Sequence, residues 1–367
     1  LWWGSYLAGL AWLLALALTD GTSGISHVLG SSHEYLQTAR SVSDVPALLA
    51  GFVDRIPRAA PDNWPTHIAG HPPGALLFFV ALVRVGLGGD LAAGVVVIVI
   101  AATVPLGVLT TLRTLGAETA ARRAAPFLVF GPAAIFAGVS ADAVFAAVGA
   151  WGLAALARAA TRPAGRARLG WSGLGWARLG WACGAGLLLG STVLLSYGLL
   201  ALGLLAIAVL GAARSWRPLI PAVLAACTIP LAFAAYGFAW WEAFPVLRER
   251  YWDGIAAERP ASYWIWANIA ALLIATGPIL GAALAALATR ARSVPRAVPL
   301  LVGAAGLAVL VADVSLLSKA EVERIWLPFM PWLLIATAAL SERWRRWGLV
   351  AQIGWALALE TLFYTSW

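Results

Sequence analysis

The polar side chains of this chain that could do chemistry are concentrated between its first two apolar segments. In chain order they are His33, Glu34, Tyr35, His67 and His71. A carboxylate can act as a general base toward a hydroxyl group about 2.6–3.2 Å away, and carboxylates and imidazoles also bind divalent cations. The pattern indicates that these residues could do acid–base chemistry. It leaves open a divalent cation bound by Glu34 and the histidines.

Asp142 and Arg324 stand directly beside apolar segments later in the chain. A charge at the mouth of a membrane helix is costly and is typically retained for a function. We therefore predict that Asp142 takes part in the site, with an ordinary helix N-cap as the alternative. A guanidinium binds an oxyanion through two parallel hydrogen bonds, so Arg324 and secondarily Arg250 are candidates for such a contact. A salt bridge to Glu321 or Glu323 is the alternative for Arg324, and a charged amphipathic helix is the alternative for Arg250.

The composition indicates that these residues belong to a membrane protein. Of the 367 residues, 61% are hydrophobic and 11% are charged, whereas a soluble domain has about 45–50% and 25%. This excludes an ordinary soluble enzyme, a disordered chain and a nucleic-acid-binding protein. The net charge of +8 arises from 24 arginines and one lysine, an excess that reports orientation in a polytopic protein. Both cysteines lie in apolar segments, which excludes a disulfide framework or a thiolate metal cluster.

Twelve apolar segments are candidates for membrane helices, each of which needs roughly 17–25 apolar residues to cross the bilayer core. They are 1–18, 72–88, 91–112, 124–139, 143–158, 181–196, 198–213, 218–238, 264–288, 297–313, 325–340 and 347–364. The first is predicted to be a membrane helix and not a signal peptide, because no small-residue cleavage site follows it. The predicted fold is an all-α, polytopic bundle of about 11–13 transmembrane helices that form a single domain over 1–367.

The distribution of charge predicts the orientation, since arginines accumulate on the cytoplasmic side. Sixteen of the 24 arginines can be placed on one side, including those of the basic loop 159–180, and 13 of the 17 acidic residues on the other. Loops 19–71 and 239–263 are therefore predicted to be extracytoplasmic. Three apolar segments separate the first loop from Asp142, so one segment within 72–139 must be re-entrant or partial if both lie on the same side.

The first loop is predicted to contain two short amphipathic helices. Apolar residues recur at roughly helical spacing over Tyr35–Val45 and again over Leu48–Ile56, which is typical of helices that lie on a membrane surface. Pro72 is well suited to open the next helix, because the first helical turn does not use the N–H group that proline lacks.

The order of these motifs resembles that of the polyprenyl-phosphate-dependent membrane glycosyltransferases with the GT-C fold, which include protein O-mannosyltransferases and lipid A aminoarabinose transferases. The matching features are Glu34-Tyr35, His71-Pro72-Pro73, Ser140–Ala143, Gly186–Tyr197 and Glu323–Pro328. Where the family often has Asp-Glu, this chain has His33-Glu34. The stretch Trp240–Asn268 most resembles uncharacterised actinobacterial members.

The resemblance implies transfer of a sugar from a polyprenyl-phosphate donor to a glycan, lipid or protein acceptor at the outer face of the cytoplasmic membrane. Glu34 would be the general base and Asp142 a second acid or an acceptor contact. The implied substrate-binding residues are His33, Tyr35, His67, His71, Tyr197, Arg250, Glu323 and Arg324. No cofactor is required by this scheme, although a divalent cation remains possible.

Two other functions fit a polytopic membrane protein. A transporter or lipid flippase would place charged residues at mid-membrane and show paired interrupted helices in two related halves. The sequence has acids at helix mouths and no internal repeat, which favours an enzyme. A non-catalytic scaffold for envelope assembly is the third interpretation.

Overall fold

The computed structural model describes residues 2–161 and 175–363, where the chain forms helices, turns and loops without a strand. The helices up to residue 161 are α1 (Trp2–Ala17), α2 (Ser23–Gly30), α3 (Tyr35–Ser41), α4 (Val45–Ala50), α5 (Thr66–Gly70), α6 (Pro73–Arg84), α7 (Asp90–Ala101), α8 (Val104–Thr114), α9 (Glu118–Val129), α10 (Ala133–Ala137) and α11 (Ala141–Thr161). The predicted all-α class is confirmed. Most of the predicted basic loop 159–180, namely 162–174, lies outside the described residues.

The second part of the chain continues with eleven helices in the residues from 175 to 363. They are α12 (Trp176–Leu195), α13 (Leu202–Ala213), α14 (Leu219–Ala235), α15 (Trp240–Trp252), α16 (Ile255–Glu258), α17 (Ala261–Thr276), α18 (Ile279–Arg290), α19 (Ala297–Val314), α20 (Val322–Ile325), α21 (Met330–Leu334) and α22 (Glu342–Leu362). Short 3₁₀ turns extend several of these, for example Tyr197–Ala201 before α13.

Within the described residues, five helical segments are long and apolar enough to cross a membrane: α1 with the turn that follows it, α7–α8, α11, α12 and α19. The pairs α14–α15 and α17–α18 also pass this test but bend by 75° and 95°, so the number rises to seven if each pair is one span. Such helices indicate a membrane-embedded protein. The number is lower than the twelve segments predicted, because several of those segments form shorter helices.

Helix α6 shows why the apolar segments outnumber the candidate spans. Its 12 residues extend about 18 Å at 1.5 Å per residue, which is less than the bilayer core of about 30 Å. The residues just after α6 lie against α3. The guanidinium of Arg40 in α3 donates to the carbonyl oxygen of Gly88 and pairs with Asp90. At this length α6 is too short to be a candidate span by itself, and the re-entrant segment within 72–139 stays a prediction. The helix begins at Pro73, with Pro72 as its N-cap.

Helix α11 lies at the centre of the bundle. Its membrane-length window is 83% buried, against 28–50% for the other four single spans in the described chain. A helix that is apolar on all sides is buried in protein or spans a membrane, and the high burial of α11 shows that other helices of the protein surround most of it. Asp142, in the first turn of α11, is therefore held at the end of the most enclosed element of the fold.

The two short helices of the first loop are present as α3 and α4, but they do not present their apolar faces outward. Tyr35, Leu36, Leu49 and Phe52 are all buried in the core of the protein. The prediction that these helices lie on the membrane surface is thus not matched. Their apolar faces pack inward because α6 and its neighbours provide a protein surface to cover.

Helices α12 and α14 approach each other through two glycines one helical turn apart. A Cβ at Gly186 would lie 2.8 Å from the Ala225 Cβ, and one at Gly190 would lie 2.8 Å from the Ala226 Cα. Small residues spaced four apart allow this close backbone contact between membrane helices.

Replacing Gly186 by alanine is expected to lower the free energy of unfolding by about 1–3 kcal/mol, the usual cost of overpacking. The matched control is Gly184→Ala in the same helix, where an added Cβ has nothing within 4 Å. Thermal unfolding in detergent, followed by tryptophan fluorescence, measures both variants. Equal melting temperatures for the two would show that the helices do not depend on this contact.

Candidate functional site

Four side chains that are distant in sequence form one chain of hydrogen bonds. Glu34 Oε1 lies 2.6 Å from His67 Nδ1, and His67 Nε2 lies 3.0 Å from a terminal nitrogen of Arg324. The other terminal nitrogen of Arg324 donates to Asp142 Oδ2 at 2.7 Å. A guanidinium can only donate, so His67 Nε2 accepts and the imidazole proton is assigned to Nδ1, from which it is donated to Glu34.

Each of these residues stands at or near a helix end. Glu34 is the N-cap residue of α3, and Asp142 lies in the first turn of α11. His67 belongs to the short helix α5 and Arg324 to the short helix α20. The geometry therefore comes from four helix ends that meet.

The cluster is closed to solvent and dominated by carboxylates. Glu34 is 4% exposed, and Asp142 and Arg324 are each 2% exposed. A third carboxylate, that of the half-exposed Glu321, pairs with the Arg324 guanidinium at a distance of 3.0 Å. Buried charges persist only when they are paired and hydrogen-bonded, and here Arg324 supplies the positive charge that the acids need.

The electrostatics favour an ionised Glu34. Burial alone would raise the pKa of its carboxyl group, but the hydrogen bond from His67 and the positive charge of Arg324 outweigh burial and lower the pKa below its ordinary value. Burial alone would likewise lower the pKa of Arg324, yet the neighbouring Asp142, Glu34 and Glu321 raise it. Glu34 is therefore a carboxylate near neutral pH.

His71 supports the chain from the side. Its Nδ1 lies 2.8 Å from the carbonyl oxygen of His67, and its ring makes an edge contact with Tyr35 at 5.8 Å. Tyr35 in turn stacks on Phe79 at 5.3 Å. Burial lowers the pKa of His71, against the raising effect of Asp142. The structure thus brings together Glu34, Tyr35, His67, His71, Asp142 and Arg324.

The pKa of His71 predicts that acid destabilises the protein. The unfolded chain takes up a proton near the ordinary value of 6.5, whereas the folded chain resists protonation to a lower pH. The stability from neutral His71 is therefore complete above pH 6.5 and is lost as the pH falls toward the folded pKa. Melting temperatures between pH 8 and pH 5 should show this loss in the wild type and a smaller loss in His71→Gln.

The matched control for that measurement is His27→Gln, because His27 is exposed. Glu34 affects the stability only at lower pH, because the pKa of its carboxyl group in the folded protein lies below the ordinary value of 4.5. If His71→Gln loses as much stability between pH 8 and pH 5 as the wild type does, His71 is not the group responsible.

The loop before α20 places Glu321 and Arg324, and its backbone is held in an unfavourable conformation. Leu316, Ala320 and Glu321 all have positive φ, at 56°, 81° and 60°, although none is glycine. Lys319 fixes the loop, since its Nζ donates to the carbonyl oxygens of Ala256 and Arg259 at 2.9 and 2.8 Å. Strained backbone is kept where the surrounding structure enforces it, often at functional sites.

Three buried oxygen atoms have no hydrogen-bond partner among the described residues, and each belongs to a member of the hydrogen-bonded chain or to a residue within two positions of one. They are Glu34 Oε2, the Tyr35 hydroxyl and the Ser140 hydroxyl. A buried polar atom without a partner costs about 1–3 kcal/mol. The ionised Glu34 accepts from His67 through one oxygen, so its second oxygen is available to accept a proton or a hydrogen bond.

An apolar cleft lies next to the polar cluster. The cleft is partly open to solvent, its space with that solvent included is about 630 Å³, and all of its lining residues are apolar. Ala143, which follows Asp142, and Leu327, three residues after Arg324, both belong to its wall. The cluster and the cleft together form a site with one charged end and one apolar end.

The remaining predicted site residues lie elsewhere. His33 and Arg250 line a separate polar basin. The ring of Tyr197 packs against both Trp240 and Phe244, at 5.5 and 5.6 Å. Glu323 is half-buried in α20, and Glu321 directly before that helix pairs with Arg324 at 3.0 Å. Sequence reasoning had considered Glu321 only as a salt-bridge partner, although its position three residues before Arg324 was a usable signal.

The described residues contain no group of three histidine, cysteine or acidic side chains that could hold a metal ion, so the divalent cation that the sequence left open has no ligand set among them. The arrangement can instead accept a proton at Glu34 and transmit the charge change through His67 to Arg324. Comparison with known proteins adds no assignment to this geometry, because no family model, curated protein or solved structure matches the chain.

Proposed function

We propose that this protein is a membrane glycosyltransferase of the GT-C type. It moves a sugar from a polyprenyl-phosphate donor to a cell-envelope acceptor at the outer face of the cytoplasmic membrane. The observation that carries the proposal is the buried Glu34–His67–Arg324–Asp142 chain, which keeps Glu34 ionised and leaves Oε2 without a partner among the described residues.

The proposed step is a single displacement. The acceptor hydroxyl gives its proton to Glu34 Oε2 while its oxygen bonds to the anomeric carbon, and the bond from that carbon to the phosphate oxygen breaks. The leaving polyprenyl phosphate keeps the electron pair of the broken bond. Glu34 Oε2 is closed to solvent, so the acceptor reaches it only after the flanking loop segments shift. This exclusion of water suits transfer to an alcohol in preference to hydrolysis.

Arg324 has a modified role in this scheme. The sequence suggests a direct phosphate contact, but the guanidinium is engaged by Asp142, Glu321 and His67. We propose that it acts chiefly as a positioning residue, which fixes His67 and compensates the acids. A phosphate that approached the cluster would have to replace Glu321, the most exposed of the three carboxylates, at the guanidinium.

The apolar cleft supports an amphiphilic donor. A cleft lined only by apolar side chains suits contact with a hydrocarbon chain, while the charged end of the site suits the polar part. Such a ligand is a membrane lipid that carries a transferable head group, which a polyprenyl-phosphate sugar is.

The test uses purified protein in lipid nanodiscs with polyprenyl-phosphate mannose or arabinose that carries a radiolabelled sugar. We expect release of polyprenyl phosphate and a labelled acceptor when an envelope extract supplies the acceptor. The same preparation of Glu34→Gln is the inactive reference. Donors that remain intact in the wild-type reaction would contradict the proposal.

A lipid flippase is the second candidate, favoured by the two helix pairs that bend by 75° and 95°, since interrupted helices are common in transporters. The two functions differ in the fate of the same donor. In proteoliposomes a flippase moves the labelled lipid to the opposite leaflet intact, whereas the transferase cleaves it.

A further inference from the structure

A second polar feature, the basin lined by His33 and Arg250, lies outside the buried chain. The basin is open to solvent, its space with that solvent included is about 900 Å³, and its wall also includes Arg58, Asn63 and Thr66. Three of its lining residues come directly before members of the buried hydrogen-bonded chain in the sequence. His33 is followed by Glu34, and Pro65-Thr66 is followed by His67. The basin therefore adjoins the buried site on the side of these segments.

The wall of the basin is built and held in place. Arg250 donates to the carbonyl oxygens of Ile56 and Trp64 at 2.5 and 2.9 Å and to Asn63 Oδ1 at 3.3 Å. The Trp64 indole is buried and donates to the carbonyl oxygen of Phe52 at 2.9 Å. These bonds tie α15 to the first loop, so the position of the Arg250 charge is set by the fold.

Arg58 brings a second guanidinium to the same basin. It lies against the backbone of Gly254, where an added Cβ would come within 3.0 Å of its Cζ. Gly254 thus leaves the space that the Arg58 head group occupies. The two guanidinium groups approach from opposite parts of the chain, Arg58 from the first loop and Arg250 from α15.

The charge of this basin is uncompensated. In the described parts of the chain neither Arg58 nor Arg250 has a carboxylate within 4.0 Å, and no acidic residue lines the basin. By contrast, Arg55 in the same loop is paired with Asp62 at 2.9 Å. Among the described residues Arg58 has no hydrogen-bond or salt-bridge partner, so it can offer a planar pair of donors to a carboxylate or phosphate. Arg250, whose terminal nitrogens are engaged by Ile56, Asn63 and Trp64, adds its positive charge to the same cavity.

The basin suits a water-soluble group better than a lipid. Arg58, His33, Asn63 and Thr66 are exposed, whereas the apolar cleft that would take a hydrocarbon chain has an entirely different lining. We propose that the basin between Arg58 and Arg250 binds the oxyanion, carboxylate or phosphate, of an acidic glycan acceptor and directs its hydroxyl group toward Glu34. The acceptor role of the bound anion rests on the proposed function, whereas the binding of an anion at this basin does not.

The test measures binding of two soluble anions, glucuronate and inorganic phosphate, to the full-length protein in phosphatidylcholine nanodiscs by isothermal titration calorimetry. We expect at least one anion to bind to the wild type, and Arg58→Gln to weaken that binding about tenfold or more, the loss expected for a charge-assisted pair. The matched control is Arg343→Gln, which removes the same charge at an exposed position elsewhere and should bind as the wild type does. The anion that binds identifies the acceptor group as carboxylate or phosphate.

Two results with the soluble anions would overturn the proposal: no binding of either anion, or equal binding by the wild type and Arg58→Gln. A third would be binding that depends on Arg58 only when vesicles of anionic lipid replace the soluble anions. The last would assign the basin to a lipid head group. Glu34→Gln should bind the anion normally. A chain that binds the anion through Arg58 but transfers no sugar would refute the proposed function and leave the binding site intact.

Discussion

Arg324→Met is expected to lower the free energy of unfolding by about 3–5 kcal/mol, the cost of removing one partner of a buried ion pair. Arg324 is 2% exposed, and it joins Asp142, Glu321 and His67. Without it, Asp142 loses its counter-charge in the interior and Glu34 loses the group that orients His67. Denaturant unfolding in detergent micelles provides the measurement.

Two further variants separate this effect from a general loss of charge. Arg343→Met removes an exposed arginine and should change stability by no more than about 0.5 kcal/mol. Replacing Asp142 by leucine in the Arg324→Met background removes the stranded carboxylate, so the double variant should be more stable than Arg324→Met alone. A single variant as stable as Arg343→Met would mean that the pair contributes nothing to folding.

The individual residues of the buried cluster could be selected from the sequence, but the contacts between them could not be predicted. Asp142 and Arg324 stand out because a charge beside an apolar segment is costly, and Glu34 stands out because it occupies the acidic position before Tyr35 in the family resemblance. However, His67 and Arg324 are 257 residues apart, and Asp142 and Arg324 are 182 apart. Only the packing of α3, α5, α11 and α20 brings them into contact, and no periodicity in the sequence encodes that packing.

The errors at the level of helices have a similar cause. Hydropathy recognises apolar residues, but it does not distinguish a helix that faces lipid from one that faces protein. Helix α6 is apolar because it packs against α3, and only its 12-residue length shows that it is too short to be a candidate span by itself. The α17–α18 segment bends by 95° next to Gly277, whose φ of 84° a glycine tolerates well. The glycine was visible in the sequence, but the direction of the chain beyond it was not.

The position of Glu321 shows a limit set by backbone conformation. Sequence resemblance favoured Glu323 for the site, since it directly precedes Arg324. The positive φ values of Ala320 and Glu321 turn the loop so that the Glu321 carboxylate meets the guanidinium. Non-glycine residues rarely adopt this conformation, so it could not have been assumed in advance.

Glu34→Gln is expected to reduce the rate of sugar transfer by a factor of about 10²–10⁴, the usual contribution of a general base. The amide oxygen of glutamine can still accept the hydrogen bond from His67 Nδ1, so the variant should remain folded with the same helix content. Glu242→Gln is the matched control, because Glu242 is an exposed acid of α15 and its loss should leave the rate unchanged. Wild-type activity in Glu34→Gln would remove Glu34 from the mechanism.

The dependence of the rate on pH separates a base from a residue that only binds. A general base works as the carboxylate, so the rate should fall when the pH drops through the pKa of Glu34. His67 and Arg324 lower that pKa below 4.5, and the acid limb of the wild-type profile should therefore lie below this value as well. Asp142→Asn weakens the pair that holds Arg324 near His67, and this should disturb the acid limb. A limb that stays in place in Asp142→Asn would mean that the Asp142–Arg324 pair does not influence the protonation of the base.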